Sequence, residues 1–389
     1  MIPRMRANFG VADLVRAERD ALRSDGRPVL IDYIRAATQA PYVVLAPSGR
    51  ASITVLIEAL GCTRVILPAY TCKSVVEAVL VAGAAPINIA VNAHYQMDLK
   101  AVANAAGPGV MIVLTHQFGL ITDPRPYRKI ADQSGAVLIE DAAAAFGGTW
   151  GGHPLGAHSD AVLYSFDATK IIHTPVKGGC ITMASAEVYD AVQAQMTLVT
   201  QEQTCFDRVK YFAIGVLYGL LANPVIYGLF HFIFFRLRGR VTSEDSVVRT
   251  ARNALFRLNI SSAQAHLLIP QVDALPSIRQ KRRALYAAYW EVLREGGHDE
   301  TPADLQDGDI PTRFAFALSG DRQTFLNKAL KKGMDFGTAF SHIAADHNFQ
   351  TEHSVANRIV NAPLYPRLTP KERDRIIAFL RSSAKTEGY

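Results

Sequence analysis

Five short apolar runs, alternating with helix-like segments, constrain the fold of this chain most strongly. Each run is apolar on both faces, which predicts a β-strand buried inside a sheet. Strands that alternate with helices in this order form a mainly parallel sheet with helices packed on it, so we expect an α/β fold. The runs are RVILPAY at 64–70, PINIAV at 86–91, GVMIVLTH at 109–116, AVLIEDA at 136–142 and AVLYSF at 161–166.

The pattern changes after about residue 270. A long charged helix is predicted at 278–297, a strand at 313–320 and a closing helix at 370–383. These elements mix helix and strand without regular alternation, which is typical of an α+β unit. We therefore expect a large domain at 1–265 and a smaller C-terminal α+β domain at 266–389.

One segment concentrates the apolar residues of the chain. The 389 residues are 49% hydrophobic and only 20% charged, which is apolar for an enzyme. Residues 211–235 contain no Asp, Glu, Lys or Arg. Since about twenty apolar residues cross a hydrocarbon layer of about 30 Å, this segment is long enough to enter a membrane.

Two features of this segment disfavour a simple membrane span. Asn223-Pro224 lies at its centre, where proline removes a helix hydrogen bond and asparagine is costly in lipid. Both flanks are basic, which places both ends on the cytoplasmic face. We expect an insertion at 208–240 with two short helices that enter one leaflet and return, as a peripheral anchor on the inner face of the cytoplasmic membrane. The alternative is a buried dimer interface or core hairpin.

The cysteine count, the N-terminal segment and the net charge disfavour several classes of protein. The four cysteines stand singly, without the spacing of a zinc site or a disulfide framework, which suits a reducing compartment. No apolar signal-peptide segment is visible in the first thirty residues. The net charge is +6, but the basic residues form no long run, so we expect no nucleic-acid partner.

Candidate functional residues follow the strands and open one helix. Asp141 ends a buried strand, where ligands collect in open α/β sheets. Ser165 and Lys170 follow the next run, while Ser48-Gly49 opens a helix whose free N–H groups suit a phosphate. Each alone also fits an ordinary cap or surface charge. Together they match pyridoxal 5′-phosphate, which needs a Schiff-base lysine, a carboxylate for its pyridinium nitrogen and an anion cradle.

Motifs in this order resemble the DegT/StrS sugar aminotransferases, a family of fold type I pyridoxal-phosphate enzymes. The resemblance implies a large mainly parallel α/β domain, a smaller C-terminal domain and a homodimer. It covers the chain from Ser48 to about Leu380. The motifs are Pro68-Ala69-Tyr70-Thr71, THQFG at 115–119, IEDAAAAFGG at 139–148, SFDATK at 165–170, Gly178-Gly179, LNISSAQA at 258–265 and NAPLYPRLT at 361–369.

The resemblance implies roles for individual residues. Lys170 matches the Schiff-base lysine and Asp141 the partner of the pyridine nitrogen, so both are candidate catalytic residues. Ser165 matches a phosphate-binding hydroxyl, and Asn259 an asparagine that reaches the phosphate from the other subunit. The candidate cofactor-binding residues are Ser48, Gly49, Arg50, Cys72, Asp141, Ala144, Ser165, Lys170 and Asn259.

Four positions depart from the family pattern. Arg50 stands where a threonine is usual, and its guanidinium either binds the phosphate or points elsewhere. Cys72 replaces an aromatic residue, Ala144 replaces Gln or His, and Lys177 replaces an acidic residue. Lys177 contacts an anionic substrate or is a solvated loop charge. The altered residues leave the sugar acceptor undefined.

The expected reaction is ping-pong transfer of an amino group, with glutamate as the implied donor. The implied acceptor is a keto group on a nucleotide-linked or lipid-linked sugar, used at or destined for the membrane and cell envelope. Related dehydratases replace the lysine with histidine, but Lys170 is intact and His173 lies three residues away, which favours transamination. The alternatives are a dehydratase or epimerase using the same cofactor and a non-catalytic, cofactor-binding regulatory protein.

Overall fold

The structure, a computed structural model, describes residues 1–238, 257–297 and 304–387 apart from positions 339, 342, 344 and 347. The α-helices are α1 (Val11–Ala21), α2 (Gly26–Thr38), α3 (Gly49–Ala59), α4 (Lys73–Val81), α5 (Leu99–Ala105), α6 (Arg125–Ser134), α7 (Ala186–Val199), α8 (Cys205–Leu221), α9 (Pro224–Arg238), α10 (Ser262–Asp273), α11 (Leu275–Glu295), α12 (Arg322–Lys331), α13 (Gln350–Arg358) and α14 (Pro370–Glu387). The strands are β1 (Tyr42–Ala46), β2 (Arg64–Pro68), β3 (Ala85–Ile89), β4 (Val110–Thr115), β5 (Val137–Asp141), β6 (Thr149–Trp150), β7 (His153–Pro154), β8 (Ala161–Ser165), β9 (Gly179–Met183), β10 (Phe314–Ala317) and β11 (Ile359–Ala362).

A seven-stranded sheet is formed by strands between Tyr42 and Met183, in the order β1-β9-β8-β5-β4-β2-β3. Strands β3, β2, β4, β5 and β8 pair in parallel, and all five coincide with the apolar runs. The predicted mainly parallel α/β fold is confirmed. Strands β9 and β1 add antiparallel pairs at one side, and the sequence reading did not identify either.

Successive residues of the central strands pack on opposite faces of the sheet. On β4, Met111 and Val113 join a core with α3, α4 and α7, whereas Ile112 and Leu114 join one with α5 and α6. Helices α2 and α10 cover the other side of β1, β8 and β9. Burial on both faces explains why these strands are continuous apolar runs.

The C-terminal elements form their own core. Strands β10 and β11 pair antiparallel, and phenylalanines of this region pack with α11, α12 and α14. Ile2 enters the same core and pairs with Met334, so the N-terminal segment reaches across to it. Helix α10 continues through residue 265 and packs with α2 against β1, β8 and β9. The division into two domains stays a proposal, and the end of α10 at Asp273 is a more natural boundary than residue 265.

Helices α8 and α9 form a bent helix pair with an angle of 106° between them. The break falls at Ala222-Asn223, and the Asn223 side chain accepts a hydrogen bond of 2.8 Å from the Val225 amide, capping α9. The predicted break at Asn223-Pro224 is confirmed. Among the described residues, no single helix is long and apolar enough to cross a membrane, although the bent pair together passes by length and composition. The end of the predicted insertion, including Arg240, lies outside the described residues.

Candidate active site

The carboxyl ends of β4, β5 and β8 bring the predicted polar residues to one edge of the sheet. Asp141 is the last residue of β5 and only 5% exposed. Ser165 ends β8, and Lys170 lies in the loop that follows. The Lys170 amide donates a hydrogen bond to the Asp167 carbonyl at 2.9 Å. Ligands bind at this edge in open α/β sheets because the strand-to-helix loops converge there.

A helix N-terminus meets the end of β8 at the same edge. The Ser48 hydroxyl caps α3 by accepting from the Ala51 amide at 3.1 Å. Gly49 packs directly on Ser165, because a Cβ atom at Gly49 would lie 3.2 Å from the Ser165 Cβ. The first amides of a helix lack intrahelical partners and carry the positive end of its dipole. The arrangement is suited to an anion held between the helix and the Ser165 hydroxyl.

Arg50 is turned toward the neighbouring helix. Its guanidinium lies 3.3 Å from the carboxylate of Glu77 on α4, and both side chains are largely buried. The sequence left two alternatives for Arg50, which were binding the phosphate or pointing elsewhere. In this chain its guanidinium contacts the Glu77 carboxylate. Its role toward the cofactor stays a prediction.

Lys170 lies among charges of both signs. Burial, followed by the nearby Arg313 guanidinium, lowers the pKa of Lys170 from its ordinary value. The carboxylates of Asp167 and Asp141 act in the opposite direction without cancelling that effect. A lysine with a lowered pKa is more often neutral, the form that can act as a nucleophile or a base.

Asp167 and Lys177 form an ion pair beside this lysine. Burial raises the pKa of Asp167, but the charge and hydrogen bond of Lys177 outweigh it, so the pKa is lowered overall. Lys177 therefore balances the half-buried carboxylate of Asp167. The sequence had predicted a substrate contact or a solvated loop charge for Lys177. Its side chain is 38% exposed, and both alternatives stay predictions beside this ion pair.

His173 joins the Lys170 loop to the N-terminal segment. Its Nε2 accepts from the Asn8 amide at 3.0 Å, so its Nδ1 carries the proton and donates to the Lys170 carbonyl at 3.1 Å. Burial lowers the pKa of His173 to about 4, which keeps the ring neutral at physiological pH. These contacts give His173 a positioning role for the loop.

His116 and Glu140 form a fully buried pair next to Asp141. The Nδ1 of His116 accepts from the Thr122 amide at 3.2 Å, so Nε2 donates to Glu140 at 2.9 Å. The His116 amide also donates to the Asp141 carbonyl at 3.0 Å. Burial raises the pKa of Glu140, but hydrogen bonds from His116, Ser159 and Gly156 lower it overall. The pair fixes the loop after β4 against the end of β5, a role that the sequence did not reveal.

The remaining predicted site residues lie at different distances from Lys170. Cys72 precedes α4 and is among the neighbouring groups that influence the pKa of Lys170. The Ala144 carbonyl accepts a hydrogen bond from the Thr312 hydroxyl. Within one chain, the Asn259 side chain donates to Glu202 at 3.1 Å.

Lys170 lines a cavity of about 330 Å³. The N-terminal segment, the bent helix pair and the C-terminal core form its other walls. Asn259 is absent from the described residues that line it. Four arginines that line this cavity were not predicted as site residues. These arginines are Arg4, Arg6, Arg282 and Arg313.

The donor set fits pyridoxal 5′-phosphate. Asp141 supplies a buried carboxylate, Lys170 an amine with a lowered pKa, and the Gly49–Ser165 contact a cradle that a larger residue at Gly49 would crowd. Burial raises the pKa of Asp141, and a cationic ring nitrogen beside it would offset that effect. Fold and site together define the class: α/β enzymes that bind this cofactor through a lysine.

Comparison with known proteins narrows the class. A sequence profile of the DegT/DnrJ/EryC1/StrS aminotransferase family matches residues 32–381. The chain belongs to this family, which confirms the resemblance predicted from its motifs. It is 24% identical over 354 residues to the dTDP-3-amino-3,4,6-trideoxy-alpha-D-glucose transaminase of Micromonospora megalomicea subsp. nigra, covering 86% of this chain and 83% of that one.

Solved structures share the fold. NtdA from Bacillus subtilis, with bound cofactor PMP, superposes with a TM-score of 0.73 at 18% identity and covers 98% of this chain and 84% of its own. DesI, crystallised in the presence of its TDP-sugar product, has a TM-score of 0.73 at 20% identity, with coverages of 98% and 92%. These similarities confirm the expected fold.

Proposed function

We propose that this aminotransferase uses pyridoxal 5′-phosphate to move an amino group from an amino acid to a keto group of a nucleotide-linked sugar. The observation that carries the proposal is the placement of Lys170, with its lowered pKa, beside the buried Asp141 carboxylate. Family membership supports the reaction type. The names of a dTDP-sugar transaminase and an L-glutamine:2-deoxy-scyllo-inosose aminotransferase support a sugar-like acceptor and an amino acid donor.

Each residue has a task in this reaction. When bound, the cofactor would supply an electron sink for the donor Cα and a carrier for the amino group. Lys170 would hold the cofactor covalently, and its amine, once released, would move the proton from the donor Cα. Asp141 would keep a proton on the ring nitrogen. The α3 N-terminus, with Ser48 and Ser165, binds the phosphate.

The placement of Lys170 near the buried Asp141 carboxylate disfavours a purely regulatory role, since strongly perturbed pKa values cluster at functional sites. A dehydratase or epimerase that retains the lysine remains the second candidate. It differs from a transaminase because it does not consume an amino donor.

The test is a spectroscopic titration of the holoenzyme. Adding glutamate or glutamine should remove the absorbance of the lysine-bound cofactor, and adding 2-oxoglutarate should restore it. A dTDP-keto-sugar should then accept the amino group with release of a stable amino sugar. If neither amino acid changes the spectrum while the keto sugar is dehydrated or epimerised, the second candidate replaces the first.

The homodimer expected from the resemblance is part of this proposal. Asn259 lies outside the Lys170 cavity of its own chain and is half-buried near Glu202. A second chain would bring its Asn259 to the phosphate cradle, as the resemblance implies. The active site would then need residues of both subunits.

The bent helix pair supports peripheral attachment to the inner face of the cytoplasmic membrane. One side of α8 packs on α1 through Phe212 and Val216, while Tyr227 on α9 bonds to Asp335. The other side exposes large apolar residues: Phe206, Val209, Leu217, Leu220, Val225, Ile226, Leu229, Phe230, Phe232 and Ile233. An apolar face of this extent on a folded chain marks an interaction surface.

Charge favours a bilayer with anionic lipids as the occupant of this surface. Arg208 and Lys210 flank it at one end, and Arg236 and Arg238 follow in the sequence of α9. Basic residues beside an exposed apolar helix face are typical of helices that lie in a membrane interface. The alternative occupant is a second copy of the chain, and vesicle binding distinguishes the two.

A further inference from the structure

Helix α8 of the bent pair forms part of the wall of the Lys170 cavity, and Tyr218 is the polar residue that it contributes. Gly215 explains how closely the helix approaches. This glycine is buried, and a Cβ atom in its place would lie 2.9 Å from the side chain of Pro175, in the loop that follows Lys170. Residues three apart on a helix share a face, so Tyr218 is turned toward the same loop.

The Tyr218 hydroxyl is placed to bind a ligand. Its side chain is half-buried, and no residue in the described ranges of the chain forms a hydrogen bond with it. Burial, followed by the negative charge of Asp167, raises the pKa of Tyr218, so the hydroxyl keeps its proton at physiological pH and can donate it to a hydrogen bond. Because Asp167 also acts on the pKa of Lys170, the Tyr218 phenol lies toward the reacting end of the cavity.

The part of the wall that α8 and α9 contribute is uncharged. Besides the Tyr218 phenol it consists of Leu221, Ala222 and Tyr227, and the Tyr227 hydroxyl is already bonded to Asp335. The ammonium and carboxylate groups of an amino acid donor need charged or strongly polar partners, which this wall does not offer. A sugar ring presents neutral hydroxyls and hydrocarbon faces, and it matches a wall of apolar side chains with one hydroxyl donor.

We propose that Tyr218 donates a hydrogen bond to one ring hydroxyl of the acceptor sugar and thereby determines which sugar is aminated. A site that bonds to a substrate hydroxyl discriminates against an analogue without it, because the protein group is then left without its partner. The other side of α8 exposes Leu217 and Leu220, which belong to the surface proposed to contact the membrane. One helix thus serves both the acceptor site and the membrane surface. This inference rests on the proposed transaminase function.

The test measures how unreactive nucleotide sugars bind to enzyme reconstituted with pyridoxamine 5′-phosphate, the aminated cofactor. The ligands are dTDP-glucose and three analogues that lack the hydroxyl at C2, C3 or C4, and none has a keto group that could react. In calorimetric titrations the wild type should bind one analogue about tenfold more weakly than dTDP-glucose, the usual effect of leaving a hydrogen-bonding group without its partner. Tyr218→Phe should bind dTDP-glucose as weakly as that analogue, and its affinity for the analogue should be unchanged.

Tyr211→Phe is the matched control. Tyr211 is a buried tyrosine two turns before Tyr218 on α8, and it is absent from the described residues that line the cavity. This variant should keep the wild-type ratio of affinities. All three proteins should bind dTDP equally well, because dTDP lacks the hexose that Tyr218 contacts.

The inference is wrong if the wild type binds all three analogues as tightly as dTDP-glucose, or if Tyr218→Phe keeps the wild-type preference. It is also wrong if Tyr218→Phe weakens the binding of dTDP to the same extent, since the phenol then supports the wall and not the sugar. The spectroscopic titration with amino donors tests the proposed function separately. A wild-type enzyme that shows the sugar preference but responds to no donor retains Tyr218 as a sugar contact and is not a transaminase.

Discussion

Gly179 and Tyr164 lie so close that a Cβ atom at position 179 would stand 2.6 Å from the Tyr164 carbonyl oxygen. The same atom would lie 3.1 Å from the Gly49 amide nitrogen at the start of α3. The two antiparallel strands β8 and β9 can therefore approach the helix N-terminus only because position 179 has no side chain. The sheet edge and the proposed phosphate cradle thus depend on one small residue.

Gly179→Ala should weaken cofactor binding and destabilise the fold by about 1–3 kcal/mol, the usual cost of overpacking a tight interior. Denaturant unfolding and cofactor titration measure the two effects. Gly107→Ala is the matched control, since a Cβ atom there meets nothing within 4 Å. Equal cofactor affinity in the Gly179→Ala variant and wild type would show that the cradle does not need this close approach.

Lys170→Ala should abolish the absorbance of the lysine-bound cofactor and reduce turnover to background. The reason is that no other amine is placed beside Asp141 in the described residues. The exposed Lys129→Ala on α6 serves as the control and should leave both readings unchanged. Normal turnover in the Lys170→Ala variant would contradict the catalytic assignment.

The buried His173 should make stability depend on pH. Its pKa is about 4 in the folded chain, whereas an unfolded histidine has a pKa of about 6.5. As pH falls below 6.5, His173 binds a proton in the unfolded state, whereas in the folded state it stays neutral until about pH 4. The free energy of unfolding should therefore drop by about 2 kcal/mol between pH 7 and pH 5 from this residue alone.

Urea unfolding at the two pH values measures this drop. His173→Gln should lower stability at pH 7 and remove most of the difference between pH 7 and pH 5. His94→Gln, at an exposed histidine, should retain it. An unchanged difference in the His173→Gln variant would assign the pH dependence to other groups.

A shared active site predicts complementation between two inactive variants. Lys170→Ala and Asn259→Ala chains, mixed under conditions that exchange subunits, should form hybrid dimers with one complete site. Equal mixing should recover about a quarter of wild-type activity, because half of the dimers are hybrid and half of their sites are intact. A mixture no more active than its components would place Asn259 in the same chain's site or outside it.

The exposed side of the bent helix pair should bind vesicles of phosphatidylcholine and phosphatidylglycerol in a flotation assay. Val225 and Leu229 are 78% and 60% exposed, so replacing both with Asp should reduce the bound fraction at least tenfold. Leu198→Asp, at an 80% exposed residue of α7, should have no effect. If the wild-type protein does not float with the vesicles and the double variant is monomeric where the wild type is dimeric, this surface is a subunit interface.

The sequence predicted the central part of the fold for a physical reason. Strands buried on both faces must be apolar throughout, so β2, β4, β5 and β8 stand out as continuous runs. The break at Asn223-Pro224 could also be predicted, because proline cannot continue a helix hydrogen-bond ladder. Strand β9 was missed because Gly178-Gly179 weakens any strand pattern, and only the contact with Tyr164 explains why glycine is required.

Some residues of the candidate site could likewise be predicted from the sequence, and others could not. Asp141, Ser165 and Lys170 could be found because each follows a recognisable run, and the strand ends of a parallel sheet share one edge. By itself the sequence thus determined the α/β fold, the family and the residues placed at that edge. Only the tertiary structure decided that Arg50 pairs with Glu77, that Lys177 balances Asp167 and that Arg282 and Arg313 line the same cavity as Lys170. Pairing of distant charges depends on how separate elements pack, and local sequence patterns do not encode that packing.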